Sequence, residues 1–256
     1  MTDRTRGTPP TAVRLEGRRA VITGAGRGIG AEIARRFVDE GATVAILDIL
    51  EPETHHVAGS IGAKVALADL RDPAATRFAT QQAIDELGGI DILVNNAGIL
   101  RFSALLDITI EDWDLTFDVN VRAMLVTTQI AATAMIAQGH GGTIINMASM
   151  GGKVGSPNQA HYAASKAAVI GLTRVTAMEL GPHQITANCI CPGYVLTEMG
   201  AATRTAEMVA NWSAKSPLNR LAQPSDVADM AVFLASDQAS YCTGQALNVS
   251  GGMVMH

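Results

Sequence analysis

The run Arg19-Ala20-Val21-Ile22-Thr23 is short and β-prone, and it leads through Gly24-Ala25-Gly26-Arg27-Gly28-Ile29-Gly30 into a helical stretch ending near Glu40. A strand that enters a helix through glycines limits the fold more than any other feature of the chain. Without side chains, the turn lets backbone approach a pyrophosphate. The head of the helix adds unpaired N–H groups and the positive end of its dipole. Glycine spacing alone fits a plain tight turn equally well. The strand before and the helix after supply the context a dinucleotide cradle requires.

The same alternation continues. Strands are predicted at Thr43–Leu47, Lys64–Ala68, Ile90–Val94, Thr143–Ala148, Gln184–Ile190 and Gly244–Val249. Helices are expected at Pro73–Leu87, at about Glu111–Gln138 with a break in its first part, from Tyr162 to about Leu180, and at Pro224–Leu234 with Ser225 as its cap. The pattern predicts one α/β domain over 14–256, a doubly wound sheet of seven parallel strands covered by helices on both faces. Residues 1–13 read as a flexible tail, and the stretch of about 194–220, long and weakly patterned, as a substrate loop.

Composition agrees. At 48% hydrophobic and 17% charged the chain can bury a large core, and with 4% aromatics that core is aliphatic. A formal charge of −5 leaves no basic stripe for nucleic acid. No apolar run of about 18 residues suggests a membrane span, and the polar N-terminus lacks the apolar core of a signal peptide, so a cytoplasmic setting is expected. Cys189 and Cys191 alternate on one strand with no third ligand nearby, which reads as buried packing rather than a metal pair.

Several residues carry chemistry in this frame. Asp48 stands eighteen residues beyond Gly30 at a strand end, where a carboxylate accepts from ribose hydroxyls and repels a 2′-phosphate, favouring NAD over NADP. Its bland alternative is a cap, and Arg27 pulls the other way as a possible partner for that phosphate. Asp69 could touch the adenine amino group and Leu70 wall its ring. Asn95-Asn96-Ala97-Gly98 lets chain pass close to a flat ligand while the amides pin loops. Asn120 is either a satisfied core amide or the holder of a water. Ser149 ends a strand, thirteen residues before Tyr162. Tyr162 and Lys166 share a helix face. At about 4 Å and an effective dielectric near 20, the ammonium would favour the phenolate by roughly 4 kcal/mol, lowering its pKa by about three units. By itself such a pair is common on solvated helix faces.

Jointly, Thr23-Gly24-x-x-x-Gly28-x-Gly30, Asn95-Asn96-Ala97-Gly98, Asn120, Ser149, Tyr162-x-x-x-Lys166 and Pro192-Gly193 resemble the short-chain dehydrogenase/reductase family from Leu15 to Gly252. Ser250 departs from the family's frequent aspartate. The resemblance implies a Rossmann-like sheet and a nicotinamide cofactor contacted by Gly24, Arg27, Gly28, Ile29, Gly30, Asp48, Asp69, Leu70, Asn96, Ala97, Gly98, Tyr162, Lys166, Pro192, Gly193, Val195 and Thr197. It implies Tyr162 as general acid/base, with Lys166 lowering its pKa and binding ribose. Ser149 would bond the substrate oxygen, Asn120 would support a relay water, and the assembly would be a homotetramer.

The expected reaction interconverts a secondary alcohol or polyol and a ketone with NAD(H), oxidation being the favoured direction. A 3-oxoacyl-thioester reductase is the nearest rival and would need basic surface, for which Arg101, Arg122 and Arg220 are candidates. A non-catalytic nicotinamide-binding regulator has no use for an activated phenol. Ser149, Met150, Tyr194 and Met199 are the substrate-side candidates, with Leu100, Met208 and Trp212 nearby; their apolar character suits an aliphatic or aryl carbinol, though core packing explains it as well.

Overall fold

The computed structural model describes residues 13–198 and 204–256, so most of the expected tail and Met199 lie outside the described residues. Seven parallel strands form one sheet in the order β3-β2-β1-β4-β5-β6-β7. They are β1 Arg19–Thr23, β2 Thr43–Asp48, β3 Lys64–Leu67, β4 Ile92–Asn95, β5 Gly142–Met147, β6 Ile185–Pro192 and β7 Ala246–Val249. The chain reverses its direction of travel across the sheet between β1 and β4. Beyond their carboxyl ends a crevice opens, as strand order dictates in sheets of this kind.

The side-chain period of two sends alternate residues of each strand to opposite layers. Ala20 and Ile22 of β1 pack under α1 (Gly28–Asp39) and α9 (Pro224–Ala235). Val21, between them, faces α3 (Pro73–Leu87) and α5 (Ala123–Gln138). Ala20, Val21 and Ile22 are all at 0% exposure, and burying a valine or isoleucine in this way contributes about 1.5–3 kcal/mol. Met124 of α5 and Val169 and Ile170 of α7 (Ala160–Leu180) close a smaller third cluster around Cys189 and Cys191 of β6.

The sequence reading missed three short helices. α2 (Glu51–Ile61) has Pro52 and two acidic residues in its first turn and a left-handed Gly62 as its stop, signals that could have found it. α6 (Gly151–Val154) follows Ser149, and α8 (Ala206–Ser213) lies in the long loop. Ser225 is not the cap of α9. Pro224 takes the first helical position, so Gln223 is the extended cap residue, and its N–H donates to Asp226 Oδ2 at 2.7 Å.

The expected break in the long helix is a π turn, Asp118–Arg122, between α4 (Ile110–Phe117) and α5. Contrary to the expectation from the sequence, Ile110–Gln138 has the length and mean hydropathy, 1.3, of a membrane span. Half of that window is buried inside the protein, because α5 is a core helix lying against α3, β4 and β5.

Candidate active site

Four segments converge on the crevice. The glycine turn comes first. A β-carbon on Gly24 would lie 2.6 Å from Ala97 Cα, and one on Gly30 would overlap Gly24 O and Asn96 Nδ2, so both positions admit only glycine. Thr23 Oγ1 accepts from the main-chain N–H groups of Asn96 and Ala97, each at 3.1 Å. Asn96 Nδ2 donates to Thr23 O at 3.1 Å and Gly24 O at 2.8 Å. The second amide of the pair therefore pins the turn, as expected of a loop-fixing residue. Its neighbour Asn95 lies buried between sheet and helices, bonding Thr127, Thr128 and Asn146.

Asp48 reaches the turn from the end of β2. One carboxylate oxygen accepts from Gly26 N at 2.8 Å, and the other from Ile49 N at 2.7 Å and Leu50 N at 3.0 Å. The side chain thus shapes the turn while presenting negative charge beside it. Gly28, at φ +60°, leaves an open cradle at the head of α1: a β-carbon there would meet only Glu198 Oε2 at 3.5 Å and Thr197 at 3.7 Å. Arg27 is exposed. A cavity of about 530 Å³ opens alongside, lined in part by Gly26, Arg27, Gly28, Leu196 and Glu198. Glycines, helix head and flanking carboxylate fit a dinucleotide.

The reactive groups lie further along the crevice. Gly98 faces two of them, since a β-carbon there would sit 3.2 Å from Asn120 Oδ1 and 3.3 Å from Lys166 Nζ. Lys166 is buried and donates to Met147 O at 2.8 Å, with its ammonium 5.8 Å from the Tyr162 ring centroid. Ser149 Oγ accepts from Gly151 N at 3.0 Å, and a β-carbon on Gly151 would lie 3.3 Å from Ser149 Oγ and 3.5 Å from Tyr162 Cε1, so the hydroxyl and the ring line the same spot. Asn120, fully buried, accepts from Ile99 N at 2.8 Å and donates to Ile99 O at 3.1 Å and Ser165 Oγ at 3.0 Å. Both its amide hydrogens are committed, so the side chain acts as a core brace, the plainer of its two expected readings. Ser165, whose hydroxyl donates to Tyr162 O at 2.7 Å, was missed. Its signal was its place three residues past Tyr162, on the helix face that meets Asn120.

The charge balance differs from the sequence expectation. Burial pushes the Tyr162 phenol up from its ordinary value, and the Ser149 hydroxyl only partly offsets this. Burial likewise pushes the Lys166 ammonium down, to about 8. The one-turn spacing placed the cation near the ring. Desolvation, a tertiary property, is the leading cause of both shifts.

The family model for enoyl-(acyl carrier protein) reductase matches residues 24–254. The oxidoreductase UcpA of Escherichia coli O157:H7 is 39% identical over 254 residues, covering 94% of this chain and 96% of the relative. The chain belongs to the short-chain dehydrogenase/reductase family. The 3-oxoacyl-[acyl-carrier-protein] reductase FabG of Thermotoga maritima is likewise 39% identical, over 95% of this chain and all of its own length. A crystal structure of a short-chain type dehydrogenase/reductase from Mycobacterium marinum superposes with a TM-score of 0.89 at 39% identity, covering 96% and 98% of the two chains. The protein is accordingly an oxidoreductase of this type, a family whose members bind NAD(P).

Around this dehydrogenase/reductase core the remaining candidates fall into place. Asp69 is paired with Arg71, which holds its carboxyl below the usual range, and Leu70 is half-buried beside it. Met150 N donates to Pro192 O at 3.0 Å, and a β-carbon on Gly193 would lie 3.0 Å from Ser250 Cα. Ser250 Oγ bonds Val254 O at 3.2 Å and accepts from its N–H at 3.3 Å, so the hydroxyl closes the turn. The base of the long loop after β6 is zipped by Ala222 N to Tyr194 O at 3.0 Å and Leu196 N to Ala222 O at 2.9 Å, with Val195 bridged to Ala222. Trp212 of α8 stacks on Tyr194, centroids 4.5 Å apart. Cys189 and Cys191 are both buried, as their spacing predicts. Arg101, Arg122 and Arg220 are each paired, with Asp112, Asp118 and Asp226.

Proposed function

We propose that the protein interconverts a secondary alcohol and a ketone with NAD(H), using Tyr162 to carry the proton. The observation that carries this reading is that the Ser149 hydroxyl and the Tyr162 ring border the same spot, since a β-carbon on Gly151 would lie 3.3 Å from Ser149 Oγ and 3.5 Å from Tyr162 Cε1, in the same crevice where Lys166 and Asn120 border the Gly98 gap. Gly24, Gly28, Ile29 and Gly30 would hold the pyrophosphate, Asp48 the adenosine ribose, and Pro192, Gly193, Val195 and Thr197 would flank the nicotinamide. When bound, the nicotinamide supplies the hydride donor or acceptor.

The chain's own residues supply the rest. Because Ser149 Oγ accepts from Gly151 N, its hydrogen is free to point at a substrate oxygen and steady charge developing there. The Tyr162 phenol Oη then gives a proton to that oxygen, or takes one from a carbinol. Burial keeps the phenol protonated at neutral pH, so it can donate to a ketone as it stands, whereas taking a proton from a carbinol requires that it first lose its own. Lys166, fixed by Met147 O, sets the positive field beneath the ring.

The names of relatives such as the Thermotoga FabG support a second reading, reduction of a 3-oxoacyl thioester on an acidic carrier. Docking such a carrier calls for free basic surface. The three arginines that could provide it each face a carboxylate, and the net charge is −5, so the small-alcohol reading is the better supported. The deciding experiment measures NAD reduction across polyols, simple secondary alcohols and hydroxyacyl thioesters, with Tyr162→Phe as control. Turnover on an alcohol is expected, with a loss of about 10³-fold or more in the variant and NAD binding retained. A variant keeping most of its rate would remove Tyr162 from the mechanism, and turnover on thioesters alone would establish the second reading.

A further inference from the structure

We propose that Lys153 is a positioning residue for the Ser149 hydroxyl, acting by clamping α6 to β7 and to the folded-back segment that ends at His256. The inference rests on Ser149 acting as described above. Its Oγ is aimed by the main-chain N–H of Gly151, 3.0 Å away, and that N–H belongs to α6. The same four-residue helix returns Gly152 N to Ser149 O at 3.1 Å and Lys153 N to Met150 O at 2.9 Å. Whatever fixes α6 therefore fixes the serine rotamer.

So short a helix has almost no stability of its own, because a single turn fixes several residues for little hydrogen bonding. Two packed neighbours hold it. On one side Gly152 lies directly against α7, where a β-carbon would come within 2.6 Å of Lys166 C and 2.8 Å of Ala167 N. On the other, Lys153 Nζ donates to Ala246 O and to His256 O, both at 2.9 Å. These acceptors are themselves held: Ala246 opens β7, and Asn248 Nδ2 bonds Val254 O at 3.1 Å and His256 O at 3.3 Å. Immobilising a lysine forfeits side-chain rotamer entropy, and two fixed carbonyls offset that only while α6 stays seated. Loosened, α6 could carry the Gly151 N–H away from Oγ, and a displacement of about 1 Å at a reacting group can lower the rate about 10²-fold.

The test compares Lys153→Met and Lys153→Arg with the full chain. With an alcohol from the panel, kcat in Lys153→Met should fall about tenfold to a hundredfold while KM for NAD stays within about twofold. Lys153→Arg, which can still donate to both carbonyls, should recover most of the loss. Amide hydrogen exchange across Gly151–Gly155, read without substrate, should quicken about tenfold or more in Lys153→Met and not across the glycine turn. This second readout needs no turnover, so an inactive wild-type protein would sink the proposed reaction and leave the clamp still testable. Unchanged exchange at Gly151–Gly155 overturns the proposal, as does a kcat that does not fall. Should Lys153→Met fail to fold, a chain ending at Gly252 removes one of the two acceptors, and unchanged exchange there overturns it equally.

Discussion

At the scale of single residues, the site trades solvation against charge. Lys166 is buried and its ammonium is pushed from 10.5 down to about 8. Between those values the unfolded chain binds more protons than the folded one, so this residue makes stability rise as pH climbs from 8 to 10.5. The full swing is about 3 kcal/mol at about 1.36 kcal/mol per unit. Comparing the urea stability of the wild type with that of Lys166→Met at pH 7.5 and pH 10 should show the rise in the wild type only; equal slopes would mean the ammonium is better solvated than its burial suggests. Asp48 carries the second residue-level expectation. A bare carboxylate at the turn disfavours a 2′-phosphate, so kcat/KM with NAD should exceed that with NADP by at least about tenfold, or about 1.4 kcal/mol. Parity between the two would end its role as discriminator. The identities of Tyr162, Lys166, Ser149 and Asp48 were legible because chemistry and spacing are written in the chain. The direction of the Tyr162 shift was not, since burial depends on what the rest of the chain packs around it.

At the scale of elements, legibility followed the strength of the stop and start signals. Pro73 and Gly88 bracket α3, and its predicted bounds match. α8 has only eight residues and none fully buried, too short for its periodicity to stand out. The α9 start at Pro224 matches but its expected cap lies two positions late, because proline takes the first helical position and leaves the cap to Gln223. The π turn at Asp118–Arg122 was visible only as a break. Its effect is to carry Asn120 inward, where it braces both the N–H and the C=O of Ile99 and the Ser165 hydroxyl. Asn120→Leu, close in size and unable to bond, should leave these groups unmet and lower stability by about 2–4 kcal/mol. Denaturant unfolding measures the loss, and far-UV circular dichroism should show helix content unchanged. A cost below about 0.5 kcal/mol would mean water replaces the amide at little penalty.

At the scale of the whole molecule, the outer helices still expose apolar side chains: Leu125 and Ile136 on α5, Val175 and Met178 on α7. Exposed apolar side chains on two outer helices are available for self-association, in keeping with the homotetramer implied by family resemblance. Sedimentation velocity should therefore find a species of four chains, and a monomer at micromolar concentration would refute it. The sheet itself was the most readable feature of all, since seven alternations admit few arrangements. Strand order has a last consequence. The reacting and cofactor-facing groups come in short clusters far apart in sequence, and the clusters meet only because β2, β1, β4, β5 and β6 lie side by side. Enzymatic output then doubles as a gauge of tertiary order: a swollen form that kept every helix but let the strands drift would be spectroscopically familiar and chemically inert.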